Sequence, residues 1–131
     1  MKIELNTNVP LNEKGTNANI KFHIVDNKIM KEENIRYIEN TKTYIYDVYI
    51  PILSELSLYM TFNTEKNLLS IMVLDNDFCQ PYDYEAFILD DLEKGESPRK
   101  EHLQIKEFVE NKLLHLQEVG ILSGYKKNDY I

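Results

Sequence analysis

The chain has 131 residues, which is enough for one domain with a hydrophobic core and too few for two. A hydrophobic fraction of 43% and a charged fraction of 28% exclude wholesale disorder, and the net charge of -7 disfavours direct binding to nucleic acid. No apolar run reaches the roughly 18 residues that a membrane-spanning helix needs. The single Cys79 excludes an internal disulfide, and the N-terminus lacks the apolar core of a signal peptide, so we expect a cytoplasmic protein.

The first part of the chain gives the weakest structural signals. Residues 1–19 are rich in Asn and lack periodicity, which predicts an irregular arm after a short strand at Ile3 to Leu5. The run "IKFHIV" at 20–25 predicts a strand, and the dipeptide "DN" that follows it predicts a hairpin turn. The run "KEENIRYIEN" at 31–40 fits both helical and strand spacing, and we interpret it as a turn or short helix.

The middle of the chain carries three runs with strict alternation. "TYIYDVYI" at 43–50 places Tyr44, Tyr46, Val48 and Ile50 on one face. "LSLYMTF" and "LLSIMVL" repeat the pattern with these core candidates: Leu56, Leu58, Met60, Phe62, Leu69, Ile71 and Val73. The five-residue connection "NTEKN" has a hairpin length. We therefore predict an antiparallel meander of three to five strands with one buried face.

The end of the chain is predicted to be helical. Apolar residues recur at spacings of three and four from Ile105 to Val119, which predicts an amphipathic helix over 98–119. Ser97 is a candidate cap, Pro98 suits the first helical position, and Gly120 suits the end of the helix. A shorter helix is predicted over "PYDYEAFILDDLE". Together these patterns predict an α+β fold for a single domain of residues 1–131, with both helices packed on the sheet.

The shorter predicted helix lies in a segment with a distinct charge. Residues 73–96, which we call the acidic segment, contain eight of the 22 acidic and one of the 15 basic residues. The rest of the chain therefore has fourteen of each, so this segment carries the whole net charge. Helical spacing places Tyr84, Phe87, Ile88 and Leu92 on an apolar stripe, with these acids toward solvent: Asp83, Glu85, Asp90 and Glu93.

No catalytic or metal-binding pattern accompanies this charge. There is no GxSxG elbow or Gly-rich phosphate loop, and the three histidines are far apart, so we predict no enzymatic activity and no cofactor. Residues 75–86 resemble a calcium loop at the first, third and ninth positions. The pattern fails at Cys79, Gln80 and Ala86, so no metal site is predicted. Cys79 is expected to be a small buried hydrophobe.

Some stretches of the chain carry a resemblance. About the last ninety residues look like small uncharacterised proteins of phages and integrative elements of low-GC Gram-positive bacteria: the stretch from "LSLYMTF" to "DDLEKGE", the amphipathic helix that follows it and the tail "VGILSGYKKNDYI". The most distinctive letters are "QPYDY" and the "GILSG...DYI" ending. In character, such small acidic proteins are similar to anti-CRISPR and anti-restriction inhibitors. That resemblance implies a nucleic-acid mimic in a bacterial host cell, acting on the basic channel of an RNA-guided or restriction nuclease.

The leading hypothesis is therefore a noncatalytic binding protein that docks the acidic segment on a basic protein groove. Its predicted partner-binding residues are acids with two aromatic anchors: Asp75, Asp77, Tyr82, Asp83, Tyr84, Glu85, Asp90, Asp91 and Glu93. Three alternatives stay open. The acids can form a solvated face without a specific partner, and the tyrosines of "TYIYDVY" can form a homodimer in a structural or regulatory protein. The third is a cryptic enzyme, which a pocket with converging carboxylates would favour.

Overall fold

A computed structural model describes residues 4–7, 20–51 and 53–127. The elements follow in chain order: β1 (Glu4–Thr7), β2 (Lys21–Phe22), α1 (Asn27–Glu32), β3 (Ile35–Ile38), β4 (Thr43–Ile50), β5 (Leu53–Asn63), β6 (Leu68–Asp75), β7 (Gln80–Pro81), α2 (Tyr84–Glu93), α3 (Lys100–Glu118) and β8 (Leu122–Ser123). The predicted α+β class, with a long C-terminal helix and a shorter helix before it, is confirmed. None of the described helices is both long and apolar enough to cross a membrane.

The main sheet is built around the predicted meander. Strands β3, β4, β5 and β6 pair in order and antiparallel, and β5 and β6 are joined by a hairpin connection of four residues, one fewer than predicted because Asn63 belongs to β5. The outer edge of β6 pairs with two separate segments, β1 along Leu68–Ile71 and β7 at Leu74 and Asp75. Because β1 runs parallel to β6, the sheet is not purely antiparallel. Strands β2 and β8 form a separate two-stranded sheet.

One face of the meander builds the core, as the alternation predicts. Tyr46 lies opposite Met60, which lies opposite Ile71, so three neighbouring strands contribute one continuous buried row. Such cross-strand neighbours are close enough for direct side-chain packing. The buried residues of the helices complete this cluster: Met30, Tyr84, Ile88, Ile105, Val109, Leu113 and Leu116.

The region between β2 and β4 differs from the prediction. Only Lys21 and Phe22 of the run 20–25 are in a strand, and the expected hairpin turn is the start of α1. The Asp26 carboxylate accepts a hydrogen bond from the Lys28 N–H at 2.9 Å, and this cap favours a helix over a turn. Ile35–Ile38 is a strand, not a turn or short helix, because it pairs with β4. Of the predicted N-terminal arm 1–19, only the strand β1 lies within the described residues.

The sequence predicts the two ends of α3 with different success. The helix begins at Lys100, two residues later than predicted, because Arg99 has an extended backbone with φ -64° and ψ 141°. Ser97 and Pro98 therefore precede the helix. At the other end Gly120 has φ +90°, and its N–H donates to the Gln117 carbonyl at 3.1 Å. This left-handed glycine ends the helix as predicted.

Candidate binding surface

The acidic segment starts with a loop whose backbone is fixed by side chains. Asp75 Oδ1 accepts hydrogen bonds from the N–H groups of Asp77 and Phe78, at 3.0 and 3.4 Å. The Asn76 side chain donates to the hydroxyl of the buried Ser57 at 3.2 Å, which ties the loop to β5. The carboxylate of Asp75 therefore shapes the loop, while Asp77 and Phe78 at its tip are exposed.

Helix α2 is held at both ends and along one face. Asp83 Oδ1 accepts a hydrogen bond from the Ala86 N–H at 3.2 Å, which satisfies one of the free donors of the first turn. Gly95, at φ +74°, ends the helix and donates its N–H to the Leu92 carbonyl at 3.0 Å. Tyr84 and Ile88 are fully buried in the core. Packing of its buried face and the two caps therefore hold α2 in place, and with it the acids of the helix.

The predicted partner-binding residues divide into three groups. Asp77, Asp83, Asp90 and Glu93 are exposed. Four others are only partly exposed: Asp75, Tyr82, Glu85 and Asp91. Tyr84 has no exposed surface, so its prediction as a partner-binding anchor is wrong. Its position one turn before Ile88 places it on the buried side of the helix.

Apolar side chains lie among the exposed acids. Phe78 is 73% exposed, Phe87 49% and Leu89 44%, and these are half of the six large exposed hydrophobic residues in the described parts of the chain. Phe87 was predicted on the apolar stripe with Tyr84 and Ile88, but it is exposed whereas those two residues are buried. Cys79 is exposed, against the prediction of a small buried hydrophobe, because it lies in the projecting loop with φ +51°.

An aromatic cluster joins α2 to the start of α3. The Phe87 and His102 rings stack with centroids 5.0 Å apart and planes at 9°. Tyr82 packs on Phe87 at 5.5 Å, and its hydroxyl is 2.8 Å from Nε2 of His102. His102 is only 5% exposed, and its Nδ1 has no hydrogen-bond partner among the described residues. The buried histidine therefore fixes the position of the Tyr82 ring.

Beside this cluster lies a pocket of about 320 Å³, which we call the Tyr82 pocket. Its walls come from the ends of β5 and β6 and from the segment that enters α3. The lining residues are Leu53, Glu55, Leu56, Asp75, Tyr82, Arg99, Glu101 and His102. Three carboxylates, one guanidinium, a phenol and an imidazole thus meet in one concave site.

The electrostatics of the pocket follow from burial and from these charges. Burial raises the pKa of Tyr82, and the nearby carboxylates of Asp75, Glu101 and Glu55 raise it further, while Arg99 opposes them. Burial lowers the pKa of His102, and Arg99 lowers it further against the opposing effect of acids such as Glu101. His102 is therefore neutral near pH 7, and the pocket has three negative charges against one positive charge.

The pocket contains residues that the sequence did not single out. Glu55, Arg99 and Glu101 are far apart in sequence from Asp75, and no spacing pattern connects them. The pairing of His102 with Tyr82 also depends on how α3 is placed beside β7. Of the predicted partner-binding residues, the pocket includes only Asp75 and Tyr82.

Two further histidines have partners that the sequence did not indicate. His23 Nε2 is 2.7 Å from the Ser123 hydroxyl, and His115 Nε2 is 2.7 Å from Glu33 Oε1. The second pair joins α3 to the end of α1. Within residues 4–7, 20–51 and 53–127, no group of three His, Cys, Asp or Glu side chains is arranged to hold a metal ion.

In comparisons with known proteins, no protein-family model, curated protein or solved structure matches the chain.

Proposed function

We propose that the protein is a noncatalytic binding protein that docks its acidic segment on a basic groove of another protein. The observation that carries the proposal is the rigid presentation of charge. The segment with the whole net charge is fixed by a tied loop, two helix caps and a buried face, and it still exposes Asp77, Asp90 and Glu93. Fixed charges lose little conformational entropy on binding, which favours affinity.

The exposed apolar residues of the acidic segment support a protein partner. Interfaces between proteins combine apolar or aromatic anchors with a polar rim, and the anchors supply most of the binding energy. Phe78, Phe87 and Leu89 are suited to be such anchors among the acids. They replace Tyr84 in the predicted set of contacts.

We further propose that the partner groove belongs to a nuclease whose channel normally holds nucleic acid. This part of the proposal rests on the resemblance of the chain to uncharacterised mobile-element proteins and on its acidic character, which is similar to that of anti-CRISPR and anti-restriction inhibitors. Carboxylates presented on a protein surface can compete with phosphates for Lys and Arg side chains.

The test uses charge reversal at exposed acids that do not cap a helix. The triple variant Asp77→Lys, Asp90→Lys, Glu93→Lys reverses the surface and keeps Asp83 as the cap of α2. Immobilised wild-type protein should capture a basic protein from a low-GC Gram-positive lysate, and capture should fall as salt is raised. The triple variant should lose that protein, and an excess of nucleic-acid duplex should displace it from the wild type.

A matched control reverses three exposed acids elsewhere: Glu65→Lys, Glu107→Lys and Glu118→Lys. It changes the net charge by the same amount and should retain the captured protein. Circular dichroism and thermal unfolding of both variants establish that each is folded. Equal capture of the same protein by the folded surface variant would reject the proposed docking surface, and failure of duplex to compete would reject a nucleic-acid channel as the target.

A second candidate function is a homo-oligomeric structural or regulatory domain. Tyr46 is buried and Tyr44 half-buried, so only Tyr49 of the "TYIYDVY" tyrosines, 70% exposed, is a candidate for such a contact. Light scattering over a range of concentrations tests this alternative. A mass that rises with concentration and returns to that of a monomer in a Tyr49→Ser variant would favour it over the acidic docking surface.

A further inference from the structure

We infer that the Tyr82 pocket binds the side chain of an arginine presented by the partner protein. This inference rests on the proposed function, because it assigns one specific contact within the larger acidic interface. The pocket adjoins that interface, since Asp75 and Tyr82 belong to the acidic segment and Phe87 packs directly on Tyr82.

The charges of the pocket favour a cation. Glu55, Asp75 and Glu101 exceed the single positive charge of Arg99, and His102 is neutral near pH 7. The Arg99 guanidinium is 3.8 Å from Glu101 and is largely exposed, so it neutralises only part of the acidic wall. An anion such as a phosphate would meet an excess of negative charge here, and is disfavoured.

The arrangement of these acids favours a guanidinium over a metal ion. Metal ions require several ligands at about 2.0–2.6 Å, and no described group of three His, Cys, Asp or Glu side chains offers that geometry. The acids instead come from three different segments of the chain that line a pocket of about 320 Å³. A guanidinium carries five N–H donors in one plane and can therefore reach carboxylates that are several ångströms apart.

Besides the negative charge, an arginine site benefits from a fixed aromatic surface, which Tyr82 and His102 supply. A guanidinium stacks on aromatic faces better than an ammonium does. The hydrogen bond to the buried His102 holds the Tyr82 ring beside the carboxylates. The His102 side chain is 5% exposed and leaves Nδ1 without a described partner. A buried polar atom without a hydrogen-bond partner is destabilising, so this position is not optimised for stability alone.

The test uses short blocked peptides that contain one arginine, one lysine or one citrulline and are otherwise identical. We expect the arginine peptide to shift the amide NMR signals of Glu55, Tyr82 and His102. The lysine peptide should bind more weakly, and the uncharged citrulline peptide should cause no saturable shift. Equal binding of the lysine or citrulline peptide would overturn the assignment of an arginine site.

Charge-neutralising variants locate the binding. Glu55→Gln with Glu101→Gln should weaken binding of the arginine peptide about three- to tenfold, as expected for the loss of two exposed charge contacts. Glu107→Gln with Glu118→Gln makes the same change in net charge at exposed positions outside the pocket and should leave affinity unchanged. Asp75 is kept in both variants because its carboxylate shapes the loop.

The outcome also separates this inference from the proposed function. Peptide shifts confined to the Asp90 and Glu93 side of α2, with no effect of Glu55→Gln and Glu101→Gln, would overturn the Tyr82 pocket as the site. The acidic docking surface would then still stand on the charge-reversal experiment. Loss of the peptide site together with unchanged capture by the charge-reversed variant would reject both.

Discussion

The meander and the acidic segment use their apolar residues differently. In β5, Leu56, Leu58, Met60 and Phe62 alternate along the strand and all are buried. In the acidic segment, Tyr84 and Ile88 are buried, while Phe78, Phe87 and Leu89 are among the most exposed hydrophobic side chains described. The meander therefore contributes to stability, whereas the acidic segment keeps part of its apolar surface in contact with solvent. Apolar side chains that are exposed among charged residues can serve as anchors in a protein interface.

The largest expected difference between the two regions is in the stability effect of truncation. Leu58 is fully buried between neighbouring strands, so Leu58→Ala should lower the free energy of unfolding by about 2–5 kcal/mol. Phe78→Ala removes a larger side chain from the exposed loop and should change it by no more than about 0.5 kcal/mol. Urea unfolding of both variants measures the difference. A comparable loss for Phe78→Ala would mean that this side chain is part of the core.

A smaller effect on stability is expected for the acids of the acidic segment. Some of them stabilise the local structure, and others are exposed without such a role. Asp83→Ala removes the cap of α2 and should destabilise the protein by about 1 kcal/mol. Asp77→Ala, at an exposed carboxylate in the adjacent loop, should be close to neutral. Thermal unfolding of the two variants under identical conditions provides the comparison. Equal effects would remove the distinction between the two acids.

The smallest predicted effect is a pH dependence of the stability of the protein, which arises from protonation of His102. Burial lowers its pKa in the folded protein below the usual value of about 6.5, so the unfolded chain binds a proton where the folded one does not. Its stabilising contribution is therefore fully present above about pH 6.5 and is lost as pH falls through the folded pKa. An NMR titration of the His102 ring gives the midpoint directly. A His102→Phe variant, which retains an aromatic ring, should lack this component, and a midpoint at or above 6.5 would contradict the prediction.

The sequence predicted those parts of the fold in which local pattern and tertiary environment agree. Alternation in β4 to β6 identified the buried face because each of these strands has one face toward the core. The prediction was wrong where a single side chain determines the local structure. Asp26 caps the helix α1, where a hairpin turn was expected. The interpretation of residues 31–40 as a turn or short helix was wrong at Ile35–Ile38, because their strand structure depends on pairing with β4.

The site was harder to predict than the fold. Net charge identified the acidic segment, but only the tertiary structure distinguishes Asp77, which is exposed, from Tyr84, which is buried. The Tyr82 pocket combines Glu55, Tyr82 and Glu101 from three separate parts of the chain. Sequence spacing carries no information about such convergence. Helical periodicity likewise could not reveal that Phe87 would stack on His102 instead of entering the core.

The pairing of β1 with β6 constrains the order in which the chain can fold during synthesis. Glu4 pairs with Leu68 and Thr7 with Ile71, so the first strand meets a partner made more than sixty residues later. The hairpins from β3 to β6 can form as soon as each strand leaves the ribosome, but β1 must wait for β6. Closing so long a loop slows folding, and until it closes the edge of β6 is open to pairing with other chains. Slowing translation at the point where β6 has left the ribosome should therefore reduce aggregation of the nascent protein.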